Sequence, residues 1–175
     1  MADSSIMTTP FVRTARCACG KVELEASGAP IVSLVCYCDD CQAGGRLIEA
    51  LPGALPVLGS DGGSACVLYR RDRFRVVAGA GLLRGLRIRP DTATERVVAT
   101  CCNTAMHMRF DSGPFWIPVY WDRFGSDAPP LEMRVSTRFA ADPTAIPSDL
   151  PQHRGVSLKF AVRLAGAMVG MMLRH

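Results

Sequence analysis

Residues 17–20 read Cys-Ala-Cys-Gly and residues 36–41 read Cys-Tyr-Cys-Asp-Asp-Cys, and these two cysteine motifs decide how the chain is interpreted. In the second motif, the C-x-x-C spacing lets two thiolates reach one zinc ion, because a turn of that length points both sulfurs inward. Cys36 adds a third sulfur. Three local ligands leave a tetrahedral ion one position short. Either a distant residue closes a structural site, or the fourth position is open for catalysis.

The remaining cysteines are Cys66, which stands alone, and the adjacent pair Cys101 and Cys102. A Cys17/Cys19 turn facing this pair would form a closed four-cysteine zinc site, whose binding free energy stabilises the folded chain. Neighbouring residues of a strand point to opposite sides. We therefore expect Cys102 to be the firmer ligand and Cys101 the weaker one, and we assign no role to Cys66.

The composition indicates one globular domain. The chain has 175 residues, 49% apolar and 21% charged, which excludes a disordered protein. Its net charge of +4 is too small to argue for nucleic acid. The first fifteen residues lack a signal-peptide pattern, and the longest apolar stretch, residues 164–173, is too short to cross a bilayer. We therefore expect a cytoplasmic protein, in which clustered thiols bind metal rather than form disulfides.

Short apolar runs punctuated by glycine and proline extend to about residue 137 and predict a mainly β fold. A loop is expected at residues 51–64, which are rich in Pro, Gly and Ser. Strands are predicted at residues 12–16, 22–26, 31–35, 67–70, 74–78, 82–89, 96–99, 106–110, 116–120 and 131–136.

The C-terminal residues 156–173 are rich in Ala, Leu and Met and predict a helix. Phe160 and Leu164 share one of its faces, while Gly166 and Gly170 would let another helix approach closely. Three interpretations stay open: a helix docked on the sheet, a homodimer contact, or a helix lying on a membrane surface.

The cysteine motifs resemble those of the glutathione-dependent formaldehyde-activating enzyme family, which includes centromere protein V. The family pattern is C-x-C-G, then C-x-C-x-x-C, then C-x-x-C-G. Residues 17–20 and 36–41 match the first two elements. The third would fall at residues 99–104, which read Ala-Thr-Cys-Cys-Asn-Thr. Ala99 therefore stands in place of the first cysteine of that element, and Cys101 is the residue that would compensate.

The resemblance implies a zinc β-tent fold, in which two small antiparallel sheets are held by a structural zinc and a second zinc sits on the three-cysteine loop. It divides the chain into a flexible N-terminus at residues 1–12, a zinc-binding domain at 13–137, and a proline-rich connection with the C-terminal helix at 138–175. The implied metal ligands are Cys17, Cys19, Cys36, Cys38, Cys41, Cys101 and Cys102.

The resemblance also implies an enzyme of the carbon–sulfur lyase type. Its catalytic residues would be Cys36, Cys38 and Cys41. The zinc that they hold would capture a thiol such as glutathione and promote its addition to formaldehyde or a similar small aldehyde. A fold is inherited more safely than a substrate.

An anionic thiol calls for nearby positive charge, because three thiolates on Zn²⁺ already leave a net charge of about −1. Arg46 lies five residues beyond the last cysteine of the loop. Arg71, Arg73 and Arg75 alternate along a predicted strand and would share one face. We expect Arg46 and Arg73 to contact the carboxylates of glutathione, and a solvated strand face is the alternative.

Two further functions stay open. The same fold would serve as a non-catalytic, zinc-stabilised binding or scaffold domain, which the altered third motif and the C-terminal helix favour. Residues 101–105 also loosely resemble the nucleophile segment of B-type methionine sulfoxide reductases, which share the β-tent architecture. For proton transfer the sequence offers His107, which lies between two methionines on a predicted strand.

Overall fold

The computed structural model describes residues 11–113 and 115–173. The expected flexible N-terminus therefore lies almost wholly outside the described residues. The fold is mainly β, as predicted, with two sheets and a C-terminal helix. Its strands are β1 Val12–Arg16, β2 Glu23–Ser27, β3 Val32–Cys36, β4 Ser64–Arg70, β5 Phe74–Ala78, β6 Leu83–Leu86, β7 Thr94–Ala99, β8 Thr104–Phe110, β9 Trp116–Tyr120 and β10 Met133–Val135. Its α-helices are α1 Asp39–Glu49 and α2 Leu158–Met172.

The two sheets differ in size. The smaller has three antiparallel strands in the order β1-β2-β5. The larger has seven strands in the order β10-β3-β4-β9-β8-β7-β6. All of its pairs are antiparallel except β10 with β3, which run parallel because a long connection separates them. The larger sheet is therefore mixed, and more extensive than the small sheets of the β-tent expectation.

The main core fills the space between the sheets. Leu24 of the smaller sheet packs with Tyr69, Met106 and Val119 of the larger one, and all four are buried. Cys17 belongs to the same cluster, and Cys101 and Cys102 pack against it. The turn between β1 and β2 therefore meets the turn between β7 and β8 at one end of this core.

A second layer covers the other face of the larger sheet. Ile48 of α1 is fully buried there against Val98, Ala105 and Tyr120, with Cys41 beside them. The alternation of a strand puts Val98 on this face and its neighbour Val97 on the face toward the smaller sheet. Helix α1 and its cysteines thus lie across the larger sheet from the main core.

Helix α1 occupies residues that were expected to form a metal loop. Asp39 and Asp40 lie in its first turn and Arg46 in its last, an arrangement that complements the helix dipole. Gly44 and Gly45 obscure the helix in the sequence, because glycine disfavours helix interiors. They are needed for close packing. A Cβ at Gly44 would lie 2.3 Å from Arg96 Nε, and one at Gly45 would lie 2.5 Å from Leu58 Cδ2.

Helix α2 is less deeply packed. Phe160 and Leu164 rest against the cluster on β3, β4 and β10, and Arg163 pairs with Glu132 at 2.6 Å. None of the residues of α2 is buried, and its outer face is apolar, with Leu158 81% and Val162 62% exposed. Within the described part of the chain, no helix is both long and apolar enough to cross a membrane.

Candidate metal centres

The first centre brings together the three cysteines of the second motif. Cys36 ends β3, Cys38 immediately precedes α1, and Cys41 lies in the first turn of that helix. Their sulfur atoms all lie within 4.8 Å of one another. No His, Asp or Glu joins this group among the residues that the structure describes. Three convergent thiols form a donor set that fits zinc and leaves one tetrahedral position without a protein ligand.

Without a bound cation, the surroundings of this centre favour the deprotonation of one cysteine and oppose the deprotonation of all three. The thiols of Cys36 and Cys41, together with the N–H groups of Cys41 and Asp40, lower the pKa of Cys38 strongly. The same neighbours act in reverse on their partners: the contact with Cys38 raises the pKa of Cys36 to about 12, and that of Cys41 also rises. A bound cation stabilises all three sulfurs as thiolates, so the geometry suits a divalent metal.

A buried arginine packs against the start of helix α1, which carries Cys41. Arg96 on β7 is only 2% exposed, and its Nη2 donates a hydrogen bond of 2.6 Å to the backbone carbonyl of Asp40. Its Nε has no hydrogen-bond partner, and no carboxylate pairs with the guanidinium among the described residues. Arg96 and Cys41 both act on the pKa of Tyr120, which burial raises. The cation is therefore held against the first turn of α1, the turn that carries Cys41.

Sequence reasoning missed Arg96 in favour of other arginines. The sequence offered one clue: Arg96 lies two residues before Val98, so both side chains are on the same face of the strand that leads to Cys101 and Cys102. Burying an unpaired charge is costly, so such a residue implies an opposite charge nearby.

The arginines that were expected at the site are not arranged as the sequence pattern suggested. Arg46 is exposed, and its five-residue offset from Cys41 turns it by about 140° around the helix. The expectation that Arg71, Arg73 and Arg75 alternate along one strand is wrong, because residues Arg71–Arg73 form a 3₁₀ turn before β5. Arg75 pairs with Glu25. Glutathione contacts by Arg46 and Arg73 stay a prediction.

A buried polar network holds the start of the three-cysteine segment in place. The Tyr37 hydroxyl donates to Asp61 Oδ2 at 2.6 Å and accepts from Arg134 Nη1 at 2.6 Å. Arg134 also pairs with Asp149 at 2.9 Å. Gln42 donates to the Tyr37 carbonyl at 2.6 Å. The backbone between Cys36 and Cys38 is therefore anchored to both α1 and the segment that follows β10.

The second centre joins Cys17 and Cys19 to the turn between β7 and β8. Cys101 Sγ lies 3.2 Å from Cys19 Sγ, 3.9 Å from Cys17 Sγ and 3.8 Å from Cys102 Sγ. Val22 N–H donates to Cys17 Sγ at 3.2 Å. Four converging sulfurs with a backbone donor are typical of a closed structural zinc site.

The expectation that Cys101 and Cys102 diverge is wrong. Residues 100–103 form a tight turn, in which Asn103 has a φ of 50°, and the alternation of a strand does not apply there. Both sulfurs join the four-cysteine group. Ala99, which replaces a cysteine of the family pattern, is fully buried in the main core, and Cys101 supplies the fourth sulfur in its place.

The two cysteines of this turn differ in acidity. Burial and the contacts with Cys19 and Cys102 raise the pKa of Cys101 to about 12. Burial also acts to raise the pKa of Cys102, but hydrogen bonds that include the Thr104 hydroxyl at 3.0 Å lower it to about 6. Cys102 is therefore the more acidic ligand at neutral pH.

Cys66 and His107 lie outside both centres. Cys66 is buried beneath Cys36, and burial raises the pKa of its thiol, as is typical of an inert core cysteine. His107 is buried on β8, on the face toward the smaller sheet. The structure therefore does not bring it to the three-cysteine centre, which lies on the other face.

A comparison with family models supports the resemblance over part of the chain. The family model described as glutathione-dependent formaldehyde-activating enzyme matches residues 12–47, a stretch that contains Cys17, Cys19 and the whole three-cysteine motif. The chain is also similar to a Rhodobacter sphaeroides protein whose crystal structure came from structural genomics. The two are 17% identical with a TM-score of 0.47, over 79% of this chain and 98% of that one. Comparison with the curated proteins gives no match.

Proposed function

We propose that the protein is a zinc-dependent enzyme of the carbon–sulfur lyase type, which binds a thiol such as glutathione and promotes its addition to a small aldehyde. The observation that carries the proposal is the three-cysteine centre, which no fourth His, Cys, Asp or Glu of the described residues closes. It lies in the stretch that matches the family model. A closed four-cysteine group elsewhere in the chain accounts for structural metal separately.

Cys36, Cys38 and Cys41 would hold the catalytic ion. When bound, zinc supplies a Lewis acid that lowers the pKa of a coordinated thiol and keeps it nucleophilic at neutral pH. The N–H groups of Asp40 and Cys41 favour negative charge at this end of α1. The buried Arg96 is bonded to the Asp40 carbonyl in the same turn, and in this proposal its positive charge would offset part of the charge that an incoming thiolate brings.

The proposed reaction is an addition with no redox step. The thiol sulfur forms a bond to the carbonyl carbon, and the C=O π bond breaks. The carbonyl oxygen takes up a proton that replaces the one lost by the thiol, so the product is a hemithioacetal. The role of the chain is to present the sulfur as a thiolate in a site where its nucleophilicity is not lost to water.

The test combines metal content with turnover. We expect two zinc ions per chain. We also expect formaldehyde to be consumed only when glutathione is present, and the growth of the hemithioacetal signal in ¹³C NMR measures this consumption. Cys38→Ser should lose one zinc and the activity. Cys66→Ala is the matched control, because Cys66 is buried but belongs to neither centre. Full activity in Cys38→Ser, or no activity with any common thiol in the zinc-loaded protein, would contradict the proposal.

The apolar outer face of α2 favours a second candidate function, a non-catalytic scaffold that assembles through this helix. Leu158, Val162, Val169 and Met172 follow one another along the helix, and each is at least half exposed. A second copy of the chain would cover them and form a homodimer. The solution mass of the protein against that of Val162→Glu tests this, and a monomeric wild-type chain would contradict it.

Sulfoxide reduction is the least supported of the candidate functions. Its nucleophile would be Cys101, whose sulfur lies within a four-thiol group and whose pKa is raised to about 12. A nucleophilic cysteine needs the opposite shift, that is, a lowered pKa.

We also propose that residues 13–137 act as the zinc-binding domain, that residues 138–175 are its C-terminal extension, and that the protein works in the reducing cytoplasm.

A further inference from the structure

A cavity of about 400 Å³ lies between the two sheets, away from both cysteine centres. One wall comes from β5, and the opposite wall comes from β6, β7, β8 and β9 of the larger sheet. Its volume lies within the range of roughly 300 to 1,000 Å³ that is typical of small-molecule sites. The apolar and aromatic residues that line it include Phe74, Val76, Leu83, Val97, Phe110 and Trp116.

The cavity is separated from the three-cysteine centre by the larger sheet. Val97 lines the cavity, whereas Val98 packs on the opposite face with Ile48 and Cys41. None of the seven cysteines of the two centres lines the cavity. Whatever it binds therefore does not contact the proposed catalytic metal, and the inference does not rest on the proposed function.

A β-bulge brings a histidine to the cavity. Val97 pairs with His107 and Val98 pairs with Ala105, so Met106 is an extra residue in β8. The bulge places both Met106 and His107 on the face toward the smaller sheet, where strict alternation would separate them. His107 lies there edge-on to the Phe74 ring, with the centroids 5.0 Å apart.

The hydrogen bonding of His107 leaves one nitrogen for a ligand. Its Nδ1 lies 3.2 Å from the Met108 carbonyl, which can only accept, so Nδ1 carries the proton. Its Nε2 has no hydrogen-bond partner within the described ranges, although the residue is only 6% exposed. Burial lowers the pKa of His107 to about 4, so the ring is neutral at physiological pH. Nε2 is therefore an acceptor without a protein donor, on a mostly buried ring that lines the cavity.

Two arginines line the cavity, and only one of them is engaged in an ion pair within the described residues. Arg109 is bound by Glu95, which also pairs with Arg87 at 3.0 Å. Arg71 is exposed and has no ion-pair partner among the residues that the structure describes. It is therefore the cation available to an acidic group at the edge of the cavity.

We propose that this cavity is a binding site for a small aromatic acid that bears a hydroxyl group, with the ring against Phe74, the hydroxyl donating to His107 Nε2 and the acid group facing Arg71. The Phe74 ring and the apolar side chains around it favour a planar ring. The buried acceptor selects a donor, because a ligand without one would leave Nε2 desolvated and unpaired. The exposed arginine adds a weaker, salt-sensitive contribution.

Three probes test these contacts one at a time. We expect 4-hydroxyphenylacetate to bind saturably to the zinc-loaded protein, with shifts of the His107 imidazole signals in ¹⁵N–¹H spectra. Phenylacetate, which lacks the hydroxyl, should bind about tenfold more weakly, as the loss of one hydrogen bond to a buried acceptor predicts. The compound 4-methylphenol, which lacks the acid group, should bind about threefold more weakly and with less salt dependence.

Substitutions test the location. Ala80 is exposed and lines the cavity, so Ala80→Trp should block it and abolish binding. Ala78→Trp is the matched control, because Ala78 is exposed on β5 but does not line the cavity. His107→Phe should remove the preference for the hydroxylated probe. Cys38→Ser should bind normally. The absence of saturable binding by all three probes, or undiminished binding in Ala80→Trp, would overturn the proposal.

Discussion

Arg96 donates a hydrogen bond of 2.6 Å to the backbone carbonyl of Asp40 and so ties β7 of the larger sheet to the first turn of α1. That turn carries Cys41 and immediately follows Cys38. One side chain thus fixes the start of the helix to the sheet and holds a buried positive charge against the turn that carries Cys41. Residues that support metal ligands in this way commonly change metal affinity by about 10- to 100-fold when they are replaced.

Replacing Arg96 should weaken metal binding at the three-cysteine centre alone. We expect Arg96→Met to raise the zinc dissociation constant of that centre at least about tenfold, because its thiolates lose both a counter-charge and a fixed helix start. Arg96→Lys should recover part of the loss. Competition with a chromogenic chelator measures both constants, and the four-cysteine centre is the internal control. Equal weakening of the two centres would indicate general destabilisation and contradict this role.

Gly44 should be intolerant of a side chain. A Cβ there would lie 2.3 Å from Arg96 Nε, so Gly44→Ala must displace the arginine or the helix. We expect this to outweigh the gain in helix propensity and lower the free energy of unfolding by about 1 to 3 kcal/mol. Gly166→Ala is the matched control, because a Cβ at Gly166 meets nothing within 4 Å. It should stabilise the protein by about 0.5 to 1 kcal/mol, and urea unfolding of both variants would show opposite shifts.

Cys101 should be required for the four-cysteine centre even though it does not occupy the family position. We expect Cys101→Ser to lose one zinc ion per chain and to lower the stability by several kcal/mol, on the order of 5, because this metal binds only the folded chain. Cys66→Ala should keep both ions. Metal analysis and thermal unfolding measure the two effects. Retention of two zinc ions in Cys101→Ser would show that the turn does not supply a ligand there.

The buried His107 should make the protein less stable in acid. Its pKa is lowered from 6.5 to about 4, mainly by burial, so between these values the unfolded chain binds a proton that the native chain does not. The contribution of His107 is therefore intact above pH 6.5 and declines as the pH falls toward 4. Relative to its value at pH 7, the wild-type chain should lose about 3 kcal/mol more than His107→Phe by pH 4. Equal losses of stability in the wild-type chain and in His107→Phe over this range would contradict the assignment.

The strands could be predicted from the sequence because their apolar residues alternate between short turn signals. Two strands of the smaller sheet and β9 match the predicted residues 12–16, 74–78 and 116–120. Helix α1 was not predicted from the sequence. Its paired glycines signal a turn locally, and only the close approach of Arg96 and Leu58 in the folded chain explains them.

The sequence predicted which cysteines belong to each candidate centre, but not how Cys101 and Arg96 are positioned. Cysteine spacing indicates which thiols can share an ion, and both predicted groups converge. The direction of Cys101 depends on a left-handed residue, Asn103, which turns the chain out of the strand pattern. The role of Arg96 depends on which face of β7 is covered by α1, and that is a property of tertiary packing.

The most direct test of the central claim is the absorption spectrum of the cobalt-substituted protein as glutathione is added. We expect the ligand-to-metal charge transfer of the three-cysteine centre to intensify, as a fourth sulfur joins the ion, while that of the four-cysteine centre does not change. The change should be absent in Cys38→Ser, and formaldehyde should then be consumed at the glutathione-saturated centre. A spectrum unaffected by glutathione at millimolar concentration would contradict an open, thiol-binding site.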